Sequence, residues 1–330
     1  MIIYFEVSIL SLPLYQQTVT VMKTFKNIFD FQATFSTEEK CREYLEQQRW
    51  GTAPACPCCG SLNVHRFATN NRIFKCREKE CRKKFSVTVG TIYENTKIPL
   101  TKWFLATYIL SVHSKGISSL QLAGWLGVTQ KTAWHLNHRI RQMLTVNAPE
   151  LLEGIVEIDE SYVGGSESNK HASKRTIKGG AGGKAMVLGA VQRGGDVRTR
   201  VIAKTDAHNV IPTIKEFVAT DSIMVTDEHH AYNKLHLDYT HKKVNHREKE
   251  YVRYEDIKVH TNSIEGFWNI LKKQINGIHH SVSAKHLQRY CDESAFRYNH
   301  RKAFQDERFA DALANCEGSL KWKALTAKTV

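Results

Sequence analysis

Residues 155–160, Ile155-Val156-Glu157-Ile158-Asp159-Glu160, decide the reading of this chain: apolar residues alternate as in a strand, with acids set among them. Period-two alternation puts Glu157 and Asp159 on one face and Glu160 on the other. A second run, Ser222-Ile223-Met224-Val225-Thr226-Asp227, sets Asp227 just past the C-terminal end of another strand, where α/β sheets carry functional groups. A third stretch, 262–275, has helical periodicity. At about 100° per residue, Asn262, Glu265, Asn269 and Lys272 form a polar stripe, and Ile264, Phe267, Trp268, Leu271 and Ile275 an apolar side. Such a helix buries one face and offers the other to the strand ends that bear the aspartates.

Three carboxylates drawn to one point repel each other unless a cation intervenes, and ligation by a few oxygens suits Mg²⁺ or Mn²⁺. Two such ions activate a water or a 3′-hydroxyl for in-line attack on a phosphodiester. The candidate set is Asp159, Asp227 and Glu265. Glu157 is a rival on its strand, Asn262 is held in reserve for the third position, and Lys272 is an auxiliary placed to pair with a phosphate. Glu160 and Glu228 read as neighbouring acids that point elsewhere. His229, His230, His246 and His260 each read first as surface or hydrogen-bonding histidines.

Outward from this core, the strand-like stretches 154–163, 185–193, 197–204 and 222–226, with a helix over 209–219 and more helix from Ser283 onward, make an α/β domain. The Gly-rich segment 179–183 reads as a connection. Before it, 100–144 is helical, with Gly116 and Gly127 as breaks. The stretch from Gly116 to Gly127 reads as a short helix closed by glycine. Thr129 then caps a second helix whose first residues, Gln130, Lys131, Thr132 and His135, are those a recognition helix shows to the major groove. This is a helix-turn-helix candidate.

Residues 51–90 hold two cysteine knuckles. Cys56, Cys59, Cys76 and Cys81 are the four predicted Zn²⁺ ligands, with Cys58 the rival in the first knuckle. Four protein ligands leave no open position, so this zinc is structural. Five of the eight cysteines lie between 56 and 81, a spacing for metal in a reducing compartment rather than for a disulfide framework. Residues 36–39, Ser-Thr-Glu-Glu, resemble a capping box ahead of another helix.

The 330 residues carry 47 Lys+Arg against 33 Asp+Glu, a net charge of +14, and residues 66–102 hold ten basic and three acidic side chains. That excess calls for a polyanion, and nucleic acid is the leading partner. No apolar run is long enough for a membrane span. Residues 1–23 lack a periodic pattern and are set aside as an extension, with Met22 an alternative start to Met1.

These residues carry a resemblance. Cys56–Gly60, Cys76–Pro99, Glu157–Gly165, Val225–Tyr232, Val244–Val252 and, most specifically, His260–Arg301 resemble the insertion-sequence transposases of the IS1595 type, related to the ISXO2 group. The resemblance implies an α/β fold: a ribonuclease H-like catalytic domain (149–304) preceded by a zinc ribbon (51–95) and a helix-turn-helix-like region (96–148). A helical lead-in (24–50) comes before them and a C-terminal tail (305–330) after. It also implies a DD(E/N) triad at Asp159, Asp227 and Glu265, and cleavage and strand transfer of double-stranded DNA. The DNA partners are the element's terminal inverted repeats and the target. Several copies of the chain would act in a synaptic complex, in the cytoplasm and at the nucleoid when bound to DNA. The rival reading is a repressor-like DNA-binding protein with a degenerate nuclease fold.

Overall fold

The structure, a computed structural model, describes residues 25–145, 150–165, 171, 173, 184–244, 252–254 and 258–327. Met22, His246 and the Gly-rich segment 179–183 lie outside the described residues.

Strands β4 (Ile155–Val163), β5 (Ala185–Gln192), β6 (Val197–Ile202), β7 (Ile223–Thr226) and β8 (Thr240–Lys243) form a sheet in the order β6-β5-β4-β7-β8. The first three are antiparallel neighbours, whereas β7 runs parallel to β4 and β8 parallel to β7. Three antiparallel strands extended by two parallel ones make the ribonuclease H-like sheet. Alternation along β4 divides the two faces. Val156 and Ile158 join Leu188, Ala190 and Met224 against Val210, Ile214 and Phe217 of α6 (Ala207–Phe217). Val163, Val187, Val191 and Val197 pack on the other side against α7 (Asn262–Gln274) and α8 (Ala284–Asn299) through Ile264, Phe267, Trp268, Leu271, Leu287 and Cys291.

N-terminal to the sheet, α1 (Ile28–Thr34), α2 (Glu38–Trp50), α3 (Leu100–Val112), α4 (Ser119–Leu126) and α5 (Gln130–Met143) bury a common core. Between α2 and α3, β1 (Val64–Phe67), β2 (Asn70–Cys76) and β3 (Lys84–Phe85) form a small antiparallel sheet over Phe74, Phe85 and the buried cysteines. The capping-box reading of 36–39 is corrected in one respect. Thr37 Oγ1 accepts from the Lys40 amide at 3.2 Å, but Glu38 Oε2 accepts from the Leu100 amide at 2.7 Å. With Thr37 as the N-cap the third helical position is Lys40, so no box closes, and Glu38 serves the start of α3, whose N-cap Pro99 offers no side-chain acceptor.

The C-terminal segment returns to this first core. Phe309, Ala312 and Leu313 of α9 (Gln305–Ala314) are buried with Phe25, Phe31, Phe35, Phe104 and Tyr108. Helix α8 spans both cores: Phe296 faces the N-terminal helices, and Leu287 and Cys291 face the sheet. A buried ion cluster occupies this junction. Glu293 meets Arg141 at 2.6 Å and Arg297 at 2.5 Å, and Arg297 also reaches Gln274, the last residue of α7, at 2.9 Å. Gly116 turns beside the cluster at φ 78°, and a Cβ there would stand 2.5 Å from Glu293 Oε1.

Candidate active site and zinc centre

The sulfur atoms of Cys56, Cys59, Cys76 and Cys81 lie within 4.8 Å of one another. Cys56 and Cys81 are 3.7 Å apart, and Cys59 and Cys76 3.6 Å. Ligands about 2.3 Å from a tetrahedral Zn²⁺ stand about 3.8 Å from each other, so the four thiols fit that ion. They are too far apart for disulfides, which need about 2.05 Å. Cys58 is exposed and outside the group, because the knuckle turns so that the Gly60 amide bonds the Cys56 carbonyl at 2.8 Å.

Asp159 and Asp227 come together through strand register. Glu157 pairs with Val225 across β4 and β7, and two residues further along both chains stand Asp159 and Asp227. Parallel neighbours are about 4.8 Å apart, so the two carboxylates share one end of the sheet. Burial, and then the charges of Glu160 and Asp227, push the Asp159 carboxyl up to about 7. Glu160 is also raised, by burial and by Asp227, against the opposing effect of its hydrogen bond from the Tyr232 hydroxyl. Its other neighbour is His229, with Nδ1 at 3.8 Å. The expectation that Glu160 points away from this group is therefore corrected. Its side chain leaves by the opposite face of β4, but near the end of the sheet that face still borders the segment after β7. Glu228 is exposed, as expected for a bystander.

Helix α7 brings the third acid. Ile264, Phe267, Trp268 and Leu271 are buried as the periodicity predicts, and Asn262, Glu265, Asn269 and Lys272 lie on the exposed side. Glu265 Oε1 accepts from Thr261 Oγ1 at 3.0 Å. Among the described residues, the cysteine cluster is the group of three or more potential ligands whose ligand atoms all lie within 4.8 Å; the three carboxylates do not form another.

What places α7 over the sheet was not visible in the sequence reading. Trp268 Nε1 donates to Asp159 Oδ2 at 3.0 Å. Gly189, the partner of Asp159 across β4 and β5, makes room for the indole, since a Cβ there would lie 2.6 Å from Trp268 and 2.9 Å from Ile264. A glycine inside the apolar strand 185–192 was the available signal of such a close approach. Glu157, fully buried, accepts from the amides of Ser263 (2.7 Å) and Ile264 (3.1 Å) and from Ser263 Oγ (3.0 Å). It also meets Arg193 Nε at 3.0 Å and His260 Nδ1 at 3.2 Å.

The helix-turn-helix geometry is present: Gly127 closes α4 in the left-handed region (φ 59°, ψ 50°) and Thr129 Oγ1 caps α5. Gln130 and Lys131 are exposed, with Gln130 Nε2 3.2 Å from Ser119 Oγ. Thr132 Oγ1 bonds Thr129 Oγ1 at 2.8 Å. The C-terminal α10 (Trp322–Thr326) lies across the same face. The Lys131 ammonium sits 4.8 Å from the Trp322 ring, and His135 Nε2 is 3.1 Å from the Leu320 carbonyl oxygen.

Sequence comparison now assigns the family. The ISXO2-like transposase domain of the IS1595 group matches residues 151–299, the segment that builds the sheet, α7 and α8. The transposase zinc-ribbon domain of the same group matches 36–84, and the two matches cover more than half of the chain.

The chain belongs to the IS1595 transposase family.

An uncharacterised protein in transposable element ISH50 of Halobacterium salinarum is 29% identical over 269 residues, 78% of this chain and 89% of that protein. An uncharacterised transposase-like protein of Haemophilus influenzae is 27% identical over 104 residues, 31% of this chain and 80% of its own. Among solved structures, a pre-cleavage Mos1 transpososome aligns over 89% of this chain and 96% of that one, at 12% identity and a TM-score of 0.24. At that score the fold assignment rests on the sheet order alone. No helix among the described residues is long and apolar enough to cross a membrane. An IS1595 transposase with a zinc ribbon is a DNA-directed protein, in keeping with its charge of +14.

Proposed function

We propose that this IS1595 transposase is a DDE-type enzyme that cuts DNA at the ends of its element and joins the freed 3′-hydroxyl to target DNA. The observation that carries the reading is the meeting of Asp159 and Asp227 at one end of a ribonuclease H-like sheet, beneath a helix with Glu265 in its first turn. The donor set supports the fit to a divalent cation: Asp159 and Asp227 offer hard carboxylate oxygens from neighbouring strand ends. Asp159, Asp227 and Glu265 would hold Mg²⁺ or Mn²⁺, with Asn262 as the alternative third ligand. An ion so held supplies activation of a water or 3′-hydroxyl and stabilisation of the leaving oxygen.

The chain's own residues do the rest. Trp268 orients Asp159, and the Thr261 hydroxyl holds the Glu265 carboxylate. Lys272, on the same exposed stripe as Glu265, meets a backbone phosphate. The ribbon (51–95) and the helical region (96–148) bind the terminal inverted repeats, with Gln130, Lys131, Thr132 and His135 reading the groove. Residues 149–304 carry the chemistry, and copies of the chain pair the two ends at the nucleoid.

The test uses duplex DNA carrying one end of the element. Asp227→Asn abolishes Mg²⁺-dependent cleavage while end binding stays within a few-fold; undiminished cleavage removes Asp227 from the mechanism. Covalent end-to-target products separate a transposase from a stand-alone nuclease. Among the described residues the three carboxylates do not form a close ligand group, which favours one other reading, the repressor-like protein. That protein shifts DNA in a gel but cuts none in Mg²⁺ or Mn²⁺.

A further inference from the structure

Glu157 lies on β4 two residues before Asp159, on the same face, fully buried. A carboxylate in that position invites reading as a metal ligand, but its surroundings say otherwise. A carboxylate offers about four acceptor sites. Those of Glu157 are taken by the Ser263 and Ile264 amides, Ser263 Oγ and Arg193 Nε, with His260 Nδ1 beside them. Helix α7 in turn takes little capping from its own segment, where His260 Nδ1 accepts from the Asn262 amide at 3.3 Å. Its N-cap residue, Thr261, makes no side-chain cap bond, and the Thr261 hydroxyl goes to Glu265 instead. The free amides of its first turn are satisfied by an acid from the neighbouring strand, whose charge also suits the positive end of the helix.

We propose that Glu157 is a positioning residue that clamps the start of α7 to β4 and so sets where Glu265 stands relative to Asp159. The clamp and the site run side by side: Glu157 grips Ser263, and two residues further along each element come Asp159 and Glu265. Arg193 completes the joint. Its Nε bonds Glu157 and its Nη2 donates to the His260 carbonyl at 3.1 Å, tying the turn after β5 to the residue that precedes α7 by two positions. The proposal rests on Glu265 being the third ligand of the divalent ion.

The experiment measures Mn²⁺ affinity of the zinc-loaded full chain by the electron paramagnetic resonance signal of free Mn²⁺, without DNA and without turnover. Glu265→Gln weakens Mn²⁺ binding by removing a ligand. Glu157→Gln weakens it by about ten-fold, the low end for residues that orient metal ligands. The double variant binds no more weakly than the weaker single one, because both changes remove the same contribution. Additive losses overturn the proposal by showing that Glu157 acts on the ion independently. Unchanged affinity in Glu157→Gln, with Glu265→Gln impaired, overturns it and leaves the third-ligand reading standing. Unchanged affinity in Glu265→Gln removes that reading and the proposal with it. Ser263→Ala, which drops one bond to Glu157 without stranding a charge, covers the case in which Glu157→Gln does not fold. A folded Ser263→Ala protein with undiminished affinity overturns the proposal, and a weakened one supports it.

Discussion

A methyl group added at Gly189 tests whether the seat of α7 governs the site. In Gly189→Ala the new carbon would meet Trp268 Cζ2 at 2.6 Å, Cη2 at 2.7 Å and Ile264 Cδ1 at 2.9 Å. Ordinary carbon contacts are about 3.5–4.0 Å, so the indole must retreat by about 1 Å. Trp268 is 3% exposed, and a shift of that size breaks its 3.0 Å bond to Asp159. Overpacking of this kind costs about 1–3 kcal/mol, and a lost bond to a charged acceptor adds about 1.5–3 kcal/mol. A net loss of about 3 kcal/mol lowers the melting temperature of a chain of 330 residues by roughly 4 °C. Differential scanning calorimetry measures that change, and a plasmid cleavage assay at a temperature where the variant is folded measures the site. Cleavage falls at least ten-fold while DNA binding is retained. A variant that melts with the wild type and cuts as fast refutes the claim that Trp268 and the glycine opposite Asp159 hold the helix in register.

Other expectations follow from the same contacts. Cys59→Ser loses the bound zinc and unfolds the ribbon, whereas Cys58→Ser keeps one zinc per chain, as read by metal analysis of the purified proteins; equal zinc in both contradicts the ligand assignment. Burial raises the Glu293 carboxyl, but Arg141 and Arg297 outweigh it and hold it down to about 2. A depressed acid stabilises the fold fully above its unfolded value of about 4.3 and loses that contribution as the pH falls toward 2. The contribution is about 3 kcal/mol. Denaturation of Glu293→Gln therefore shows a flatter pH dependence between 4.5 and 2 than the wild type, and parallel curves contradict the ion cluster's role. Truncation after Gly318 removes Leu320 and Trp322 from His135 and Lys131, and it tightens binding to duplex DNA in low salt; unchanged affinity means that this face of α5 does not touch DNA.

Much of the α/β domain was legible because its strands alternate and its helices keep a 3.6-residue stripe. The strand 155–163, the helix starting at Asn262 and the burial of Ile264, Phe267, Trp268 and Leu271 follow from pattern alone. The four sulfurs were legible for a different reason: knuckle spacing is a local property, and local geometry decides which of Cys58 and Cys59 faces inward. Periodicity does not name the partner of a face. Residues 305–314 read as helix, yet nothing in them says that Phe309 packs into an aromatic core with Phe25 and Phe31 nearly three hundred residues away. The same limit hid Glu160, whose involvement depends on Tyr232 from another element, and Glu157, whose partners on α7 lie more than a hundred residues downstream. The strand β8 is only four residues long and mostly polar, so its edge position left no apolar signature.

The central claim is that Asp159, Asp227 and Glu265 share a divalent ion. Crystals of the full chain soaked in Mn²⁺ and measured at the manganese absorption edge test it most directly. The account predicts an anomalous peak bonded to Asp159 and Asp227, with the Glu265 carboxylate turned from Thr261 toward it. A fully soaked crystal with no peak at those two aspartates, or with manganese held elsewhere while they stay bare, contradicts it.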